Sequence, residues 1–206
     1  MRSQWCSAFL LLVGPVSTAV AQSAQSIPVT TTVSYGSLSQ NDLVIRMRND
    51  EVEIRFLPLD PRIMRLLAND AFQSLRSLVE NRNRQIDSVA SRAGVTKPGL
   101  ALVSFYGLRA DTRFDPQTLT VRLRSRALQP LGLIPINSKF SSHQLDLREQ
   151  ASAIYLFEEE LPVDDSFTLS YAAMISDDWS VRQPVIDRER ARVAARAREQ
   201  PRDTAR

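Results

Sequence analysis

Two runs of period-two alternation constrain this chain before anything else does. Leu43, Ile45 and Met47 alternate with Val44, Arg46 and Arg48, and then Val52, Ile54 and Phe56 alternate with Glu53 and Arg55. A repeat of two fits extended chain, where successive side chains point to opposite faces. Asn49 and Asp50 stand between the runs, and both tolerate positive φ, so the pattern predicts a β-hairpin with a two-residue turn there. One face of such a hairpin is apolar and must be covered. That requirement commits the chain to a sheet packed against something else.

Pro58-Leu59-Asp60-Pro61 then ends the second strand, with Asp60 placed as an N-cap and Pro61 at the first helical position. Apolar or small residues follow at Met64, Leu67, Ala71, Leu75, Leu78, Ile86, Val89 and Ala93, interrupted only by Arg82. Steps of three and four predict one continuous helix over 61–93, capped by Gly94 and stopped by Pro98. At 1.5 Å per residue it would run about 50 Å. A strand of five or six residues covers only about 17–20 Å, so the helix should overhang its sheet. Its apolar face is broad up to Val79 and vanishes from Glu80 to Gln85. The distal half, with Arg82, Ile86 and Val89, is therefore the expected interaction surface.

Beyond Leu100 the signals are β. Leu100 to Tyr106 is apolar almost throughout, as in a strand buried on both faces. Leu119, Val121 and Leu123 alternate with polar residues, and so do Phe167, Leu169 and Tyr171. Ala127 to Ile136 carries Pro130, Gly132 and Pro135, which suits an edge or bulged strand, and Ala153 to Phe157 reads as a buried one. With a first strand expected over Val29 to Tyr35, the plan is α+β. It is an antiparallel β-sandwich, the immunoglobulin-like arrangement being one form of it, with one long inserted α-helix. The expected core is Ile54, Phe56, Leu67, Leu75, Leu102, Phe105, Val121, Ile154, Leu156, Leu169 and Tyr171.

The first 21 residues carry an address. Arg2, the apolar run Ala8 to Val13, the break at Gly14-Pro15 and the small residues of Ala19-Val20-Ala21 match a cleaved secretory signal. The run falls short of the ~20 residues a membrane span needs. The plan is a signal peptide over 1–21, a flexible leader over 22–28, a single α+β domain over 29–181, and a basic tail over 182–206, disordered or weakly helical. The one cysteine, Cys6, lies inside the signal. Residues 22–206 thus have no thiol for a disulfide, a metal or a nucleophile, and their fold must rest on apolar burial. The expected location is the periplasm or cell envelope, or outside the cell.

Charge excludes more than it suggests. The formal net charge is +3, and Lys97 and Lys139 are the only lysines among 26 basic residues. That bias reads as coding composition and gives no case for nucleic acid as partner. The arginine-rich tail has no apolar face to insert, so at most it touches anionic headgroups peripherally. The face formed by Arg122, Arg124 and Arg126, with Arg109 and Arg113 nearby, suits a solvent face whose charges discourage edge pairing.

Candidate chemistry is sparse. His143 is the sole histidine, and its neighbours Ser141 and Ser142 do not make a triad without a third orienting group. No nucleophile-elbow or phosphate-loop pattern occurs, and Gly94 and Gly99 merely flank Pro98. Glu158, Glu159, Glu160, Asp164, Asp165, Asp177 and Asp178 lack EF-hand spacing and read as solvated loops, not calcium ligands. No catalytic, cofactor-binding or metal-ligating residue is assigned, and no cofactor is expected. The function so indicated is an exported, non-catalytic envelope or periplasmic binding or structural module. It would act through protein–protein contacts with an unknown partner or a second copy of itself. The alternative is an exported carboxylate-dependent hydrolase, which requires a cleft holding two acidic groups among exposed aromatics.

Overall fold

The hairpin forms where the alternation places it. β1 (Ile45–Arg48) and β2 (Val52–Pro58) pair antiparallel, with Arg48 opposite Glu53. The turn closes differently from expectation. Asn49 donates its N–H to the Val52 carbonyl at 3.1 Å, and its Oδ1 accepts from the N–H groups of Glu51 and Val52 at 2.9 and 2.8 Å. The two loop residues are therefore Asp50 and Glu51, one position later. Asn49 contributes its side-chain acceptor instead of a left-handed backbone.

The computed structural model describes residues 35–199. The expected signal peptide over 1–21, the leader over 22–28, nearly all of the Val29 to Tyr35 strand and the tail beyond 199 lie outside these residues. The remaining strands, in chain order, are β3 (Gly99–Gly107), β4 (Thr112–Arg113), β5 (Thr120–Arg122), β6 (Ala127–Leu128), β7 (Pro130–Pro135), β8 (Gln144–Leu145), β9 (Gln150–Phe157), β10 (Thr168–Tyr171) and β11 (Met174–Ser176). They form a sheet in the order β1-β2-β3-β9-β7, a second in the order β11-β10-β5-β6, and the small pair β4-β8, antiparallel throughout. The fold is α+β with antiparallel sheets, as the periodicity predicts.

Only Gln129 separates β6 from β7, so the chain there passes from one sheet directly into the other. β7 is an edge strand whose register shifts between Pro130 and Gly132, which is the irregularity its prolines predict. Aromatic rings fill the space between the sheets. Phe56 meets Phe167 with centroids 6.4 Å apart, and Phe105 meets Tyr171 at 5.7 Å. Every expected core residue is buried except Leu102, which is half-buried on the other face of β3 with Leu100.

After a short first helix, α1 (Gln40–Leu43), the helix expected over 61–93 is instead three: α2 (Pro61–Met64), α3 (Asn69–Glu80) and α4 (Asn83–Ala93). Asp60 and Gly94 cap as predicted. Asp60 accepts the Arg62 N–H, and Gly94 is left-handed at φ 71. The first break comes from outside the segment. Gly36 and Leu38 donate their N–H groups to the carbonyls of Arg65 and Leu66, both at 3.0 Å, while the Leu38 carbonyl takes the Ala68 N–H at 2.9 Å. Those carbonyls would otherwise serve the next helical turn. The second break falls at Asn81 and Arg82, inside the run that has no apolar residue to hold it. At 1.5 Å per residue α3 and α4 are about 18 and 16 Å long, each no longer than a strand of five or six residues.

The expected tail is also different. α5 (Asp178–Glu199) is a helix whose Trp179, Ile186 and Glu189 are each no more than 1% exposed. Trp179 stacks on Phe167 at 5.1 Å. Trp179, Ile186 and Val193 recur at every seventh position and form one narrow apolar stripe, which the dense arginines obscure in the sequence. Among the described residues no helix is long and apolar enough to cross a membrane.

Gly36 makes the first break possible, because a Cβ on it would be driven into the backbone of Leu66. Gly36→Ala is expected to destabilise the fold by about 1–3 kcal/mol in urea titration, the usual cost of overpacking. An unchanged midpoint would show that the 36–38 pairing does not hold the helices apart.

Candidate functional site

The residues expected to form a contact surface, Arg82, Ile86 and Val89, are partly or wholly covered by the fold. Ile86 is 5% exposed and belongs to the core, and Val89 is half-buried. A γ-methyl of Val89 lies so close over Gly132 of β7 that a Cβ there would collide with it. Arg82 is half-buried, with a buried Nε that has no hydrogen-bond partner among the described residues. The break at Asn81 and Arg82 is the reason. It lets α4 lay its thin apolar stripe on the sheet edge, where a straight helix would have carried that stripe into solvent.

The concavity lies instead between α2, α3 and the ends of β2 and β3. It is a cleft of about 660 Å³ walled by Leu59, Met64, Phe72, Val79, Leu100 and Leu161. Its geometry follows from the local sequence. β2 stops at Pro58, Asp60 and Pro61 open a single helical turn, and the 65–68 break separates that turn from α3. Phe72 and Val79, two turns apart, then face the same side. Tyr35 packs against Phe72, with ring centroids 4.9 Å apart.

Charged groups ring the cleft and most are consumed in pairs. Asp60 is 8% exposed, and its two carboxylate oxygens take the Arg62 Nε and Nη2 at 2.9 and 2.7 Å. The same guanidinium donates to the Leu161 carbonyl at 3.0 Å and to Asp164 at 2.6 Å. Arg190 of α5 meets the other Asp164 oxygen at 2.7 Å and Asp187 at 2.6 Å. The result is a row of alternating charge from Asp60 to Asp187. The Asp60 hydrogen bond is the main cause that holds the Arg62 guanidinium above its ordinary value, against the opposing effect of burial. On α3, Arg76 and Glu80 pair at 2.7 Å.

Glu80 and Glu160 both line the cleft, in the company of Phe72. Among the described residues, the surroundings of Glu149 and Glu189 displace their carboxyls downward. Glu149 is lowered chiefly by its bond to Lys139, with the Asp146 N–H adding. For Glu189, burial pushes upward, but the N–H and hydroxyl of Ser37 and the Arg192 guanidinium together bring it below its usual range.

The other candidates have structural occupations. His143 is exposed, in a left-handed conformation at φ 53, and its ring lies 5.7 Å from that of Phe114. Ser142 is bonded to the carbonyls of Lys139 and Gln144 and does not engage His143. Arg126 pairs with Glu159, so the acidic loop serves the arginines around it. Among the described residues no group of three or more His, Cys, Asp or Glu is placed to hold a metal ion. Sequence reasoning missed the Arg62–Asp164 contact, whose partners are 102 residues apart. It also missed the buried pair Ser104 and Ser152, 2.8 Å apart, to both of which the exposed Gln150 donates. No family model, curated protein or solved structure matches this chain.

Two outcomes check this account. Ile86→Ala is expected to cost about 2–5 kcal/mol, as for core truncation. Arg84→Ala, at an exposed position of the same helix, should stay within about 0.5 kcal/mol, as for a surface change. Equal, small losses in chemical denaturation would mean that α4 is not packed on the sheet. Glu149 and Glu189 sit below their ordinary value of 4.5 in the folded chain, so their stabilisation is present above that value. It should disappear as pH falls through the lower folded values, and denaturation midpoints recorded across that range should fall with acid.

Proposed function

We propose that the protein is an exported, non-catalytic binding module of the cell envelope, and that it grips an apolar segment of a partner protein in the cleft between α2, α3 and the sheet. The observation carrying this is a concavity of about 660 Å³ with apolar walls, whose buried acid, Asp60, is neutralised by Arg62. Ligand-holding clefts commonly measure about 300–1,000 Å³, and they combine apolar walls with a few fixed polar groups. A buried acid bonded on both oxygens orients and rigidifies the site and is unsuited to moving protons. Export rests on the pattern of residues 1–21.

The expected affinity is modest. Two or three apolar side chains entering the cleft supply roughly 3–9 kcal/mol, from which the cost of association is subtracted. That suits a reversible contact. The hydrolase alternative would place its acids in the same cleft as Glu80 and Glu160, although Glu80 is already paired with Arg76.

Nile red, a neutral apolar dye, provides the test. It should bind the folded protein, and Val79→Glu should weaken binding tenfold or more while circular dichroism stays unchanged. Ile175→Glu, at a site 65% exposed and outside the cleft, should leave binding as it was. Short apolar peptides should displace the dye and charged ones should not. Equal dye binding by the Val79→Glu variant would sink the cleft as a site. Failure of every peptide to compete would sink a protein partner.

A further inference from the structure

Helix α5 is pinned unevenly along its length, and Pro184 divides it. Proline has no N–H, so the Ser180 carbonyl one turn earlier receives no helical hydrogen bond at that point. Before Pro184 the helix is anchored by Trp179, fully buried on Phe167, and by Arg182, which donates to the carbonyls of Asn41 and Asp42 at 3.1 Å each. After Pro184 the apolar hold reduces to Ile186 and the half-buried Val193.

What holds the second half is polar and reaches two places. Glu189, 1% exposed, accepts both the N–H and the hydroxyl of Ser37 through one oxygen, at 2.8 and 3.0 Å. Arg196 donates to the Tyr35 carbonyl at 3.2 Å, and Arg190 donates to Asp164 at 2.7 Å. Ser37 lies between Gly36 and Leu38, the two residues whose N–H groups occupy the Arg65 and Leu66 carbonyls. The carboxylate of α5 therefore grips the segment that keeps α2 apart from α3.

We infer that the part of α5 beyond Pro184 is a latch: it swings as a unit about Pro184, and its release frees residues 36–38 from the 65–68 backbone. The latch stands on these contacts whether or not the cleft binds a partner. Its regulatory meaning rests on the proposed cleft, since Met64 and Phe72 lie on either side of the break that residues 36–38 maintain.

Amide hydrogen exchange on the full chain tests it. In Glu189→Ala, exchange should rise tenfold or more at residues 186–198 and by a similar factor at Gly36, Leu38 and Ala68. The central strands β3 and β9 should be unchanged. Glu189→Gln keeps an acceptor for Ser37 and should fall between the two. Pro184→Ala restores the missing N–H and should slow exchange at 186–198. The latch is overturned if the rise in Glu189→Ala stays confined to α5, or if it extends equally to β3 and β9. It is overturned as well if Pro184→Ala leaves residues 186–198 unchanged.

Discussion

The pairing of residues 36–38 with the backbone at 65–68 is the interaction on which the remaining helical architecture depends. It removes two carbonyls and one N–H from the path of a helix that the side-chain pattern would otherwise carry through. A buried backbone group has to find a partner, and an incoming extended segment can offer one as good as the next helical turn. The outcome is decided by which offer also buries apolar surface. Leu38, Leu66 and Leu67 are all buried at this junction, so the segment brings its own side chain to the core as well as its hydrogen bonds. The cleft follows directly. A continuous helix would present one smooth ridge, whereas α2 and α3 make two walls with space between them.

Period-two patterning made most of the sheet legible, because a strand's burial is written in its own residues. The hairpin, β3, β5, β9 and β10 all lie where alternation or apolar runs put them, and the prolines of β7 foretold both its edge position and its shifted register. The caps at Asp60 and Gly94 were equally local. The first helical break was not legible, since its cause lies in a segment some thirty residues earlier in the chain. The apolar gap from Glu80 to Gln85 was visible, but it supported a solvated straight helix as well as a turn. A straight continuation through that gap would carry Ile86 and Val89 into solvent, whereas the break turns them onto the sheet edge.

The cleft was illegible for a related reason. Its walls come from the end of β2, α2, α3, the start of β3 and the loop at Leu161, and no single window of sequence contains them. Asp60 was recognised as a cap, yet its second role as the buried partner of Arg62 depends on a side chain curling back two residues. Asp164 looked like one of several loop acids. Its position between Arg62 and Arg190 joins a cleft wall to the terminal helix, a link that only the fold supplies.

Arginine usage, which composition alone explained as coding bias, acquires a structural logic in this setting. Arg62 contacts Asp60, the Leu161 carbonyl and Asp164 at once, through a planar fork of fixed directions. Arg182 reaches two adjacent carbonyls with one nitrogen, and Arg190 bridges Asp164 and Asp187. Lysine offers a single point charge on a flexible stem and does not reproduce these bridges. In residues 22–206, which have no cysteine, such forks take over part of the cross-linking that disulfides provide elsewhere. Each is individually weak at a solvent-exposed position. Strung from the cleft to the terminal helix, they fix the direction of elements that the apolar core holds only along one stripe, which is why α5 can be both docked and releasable.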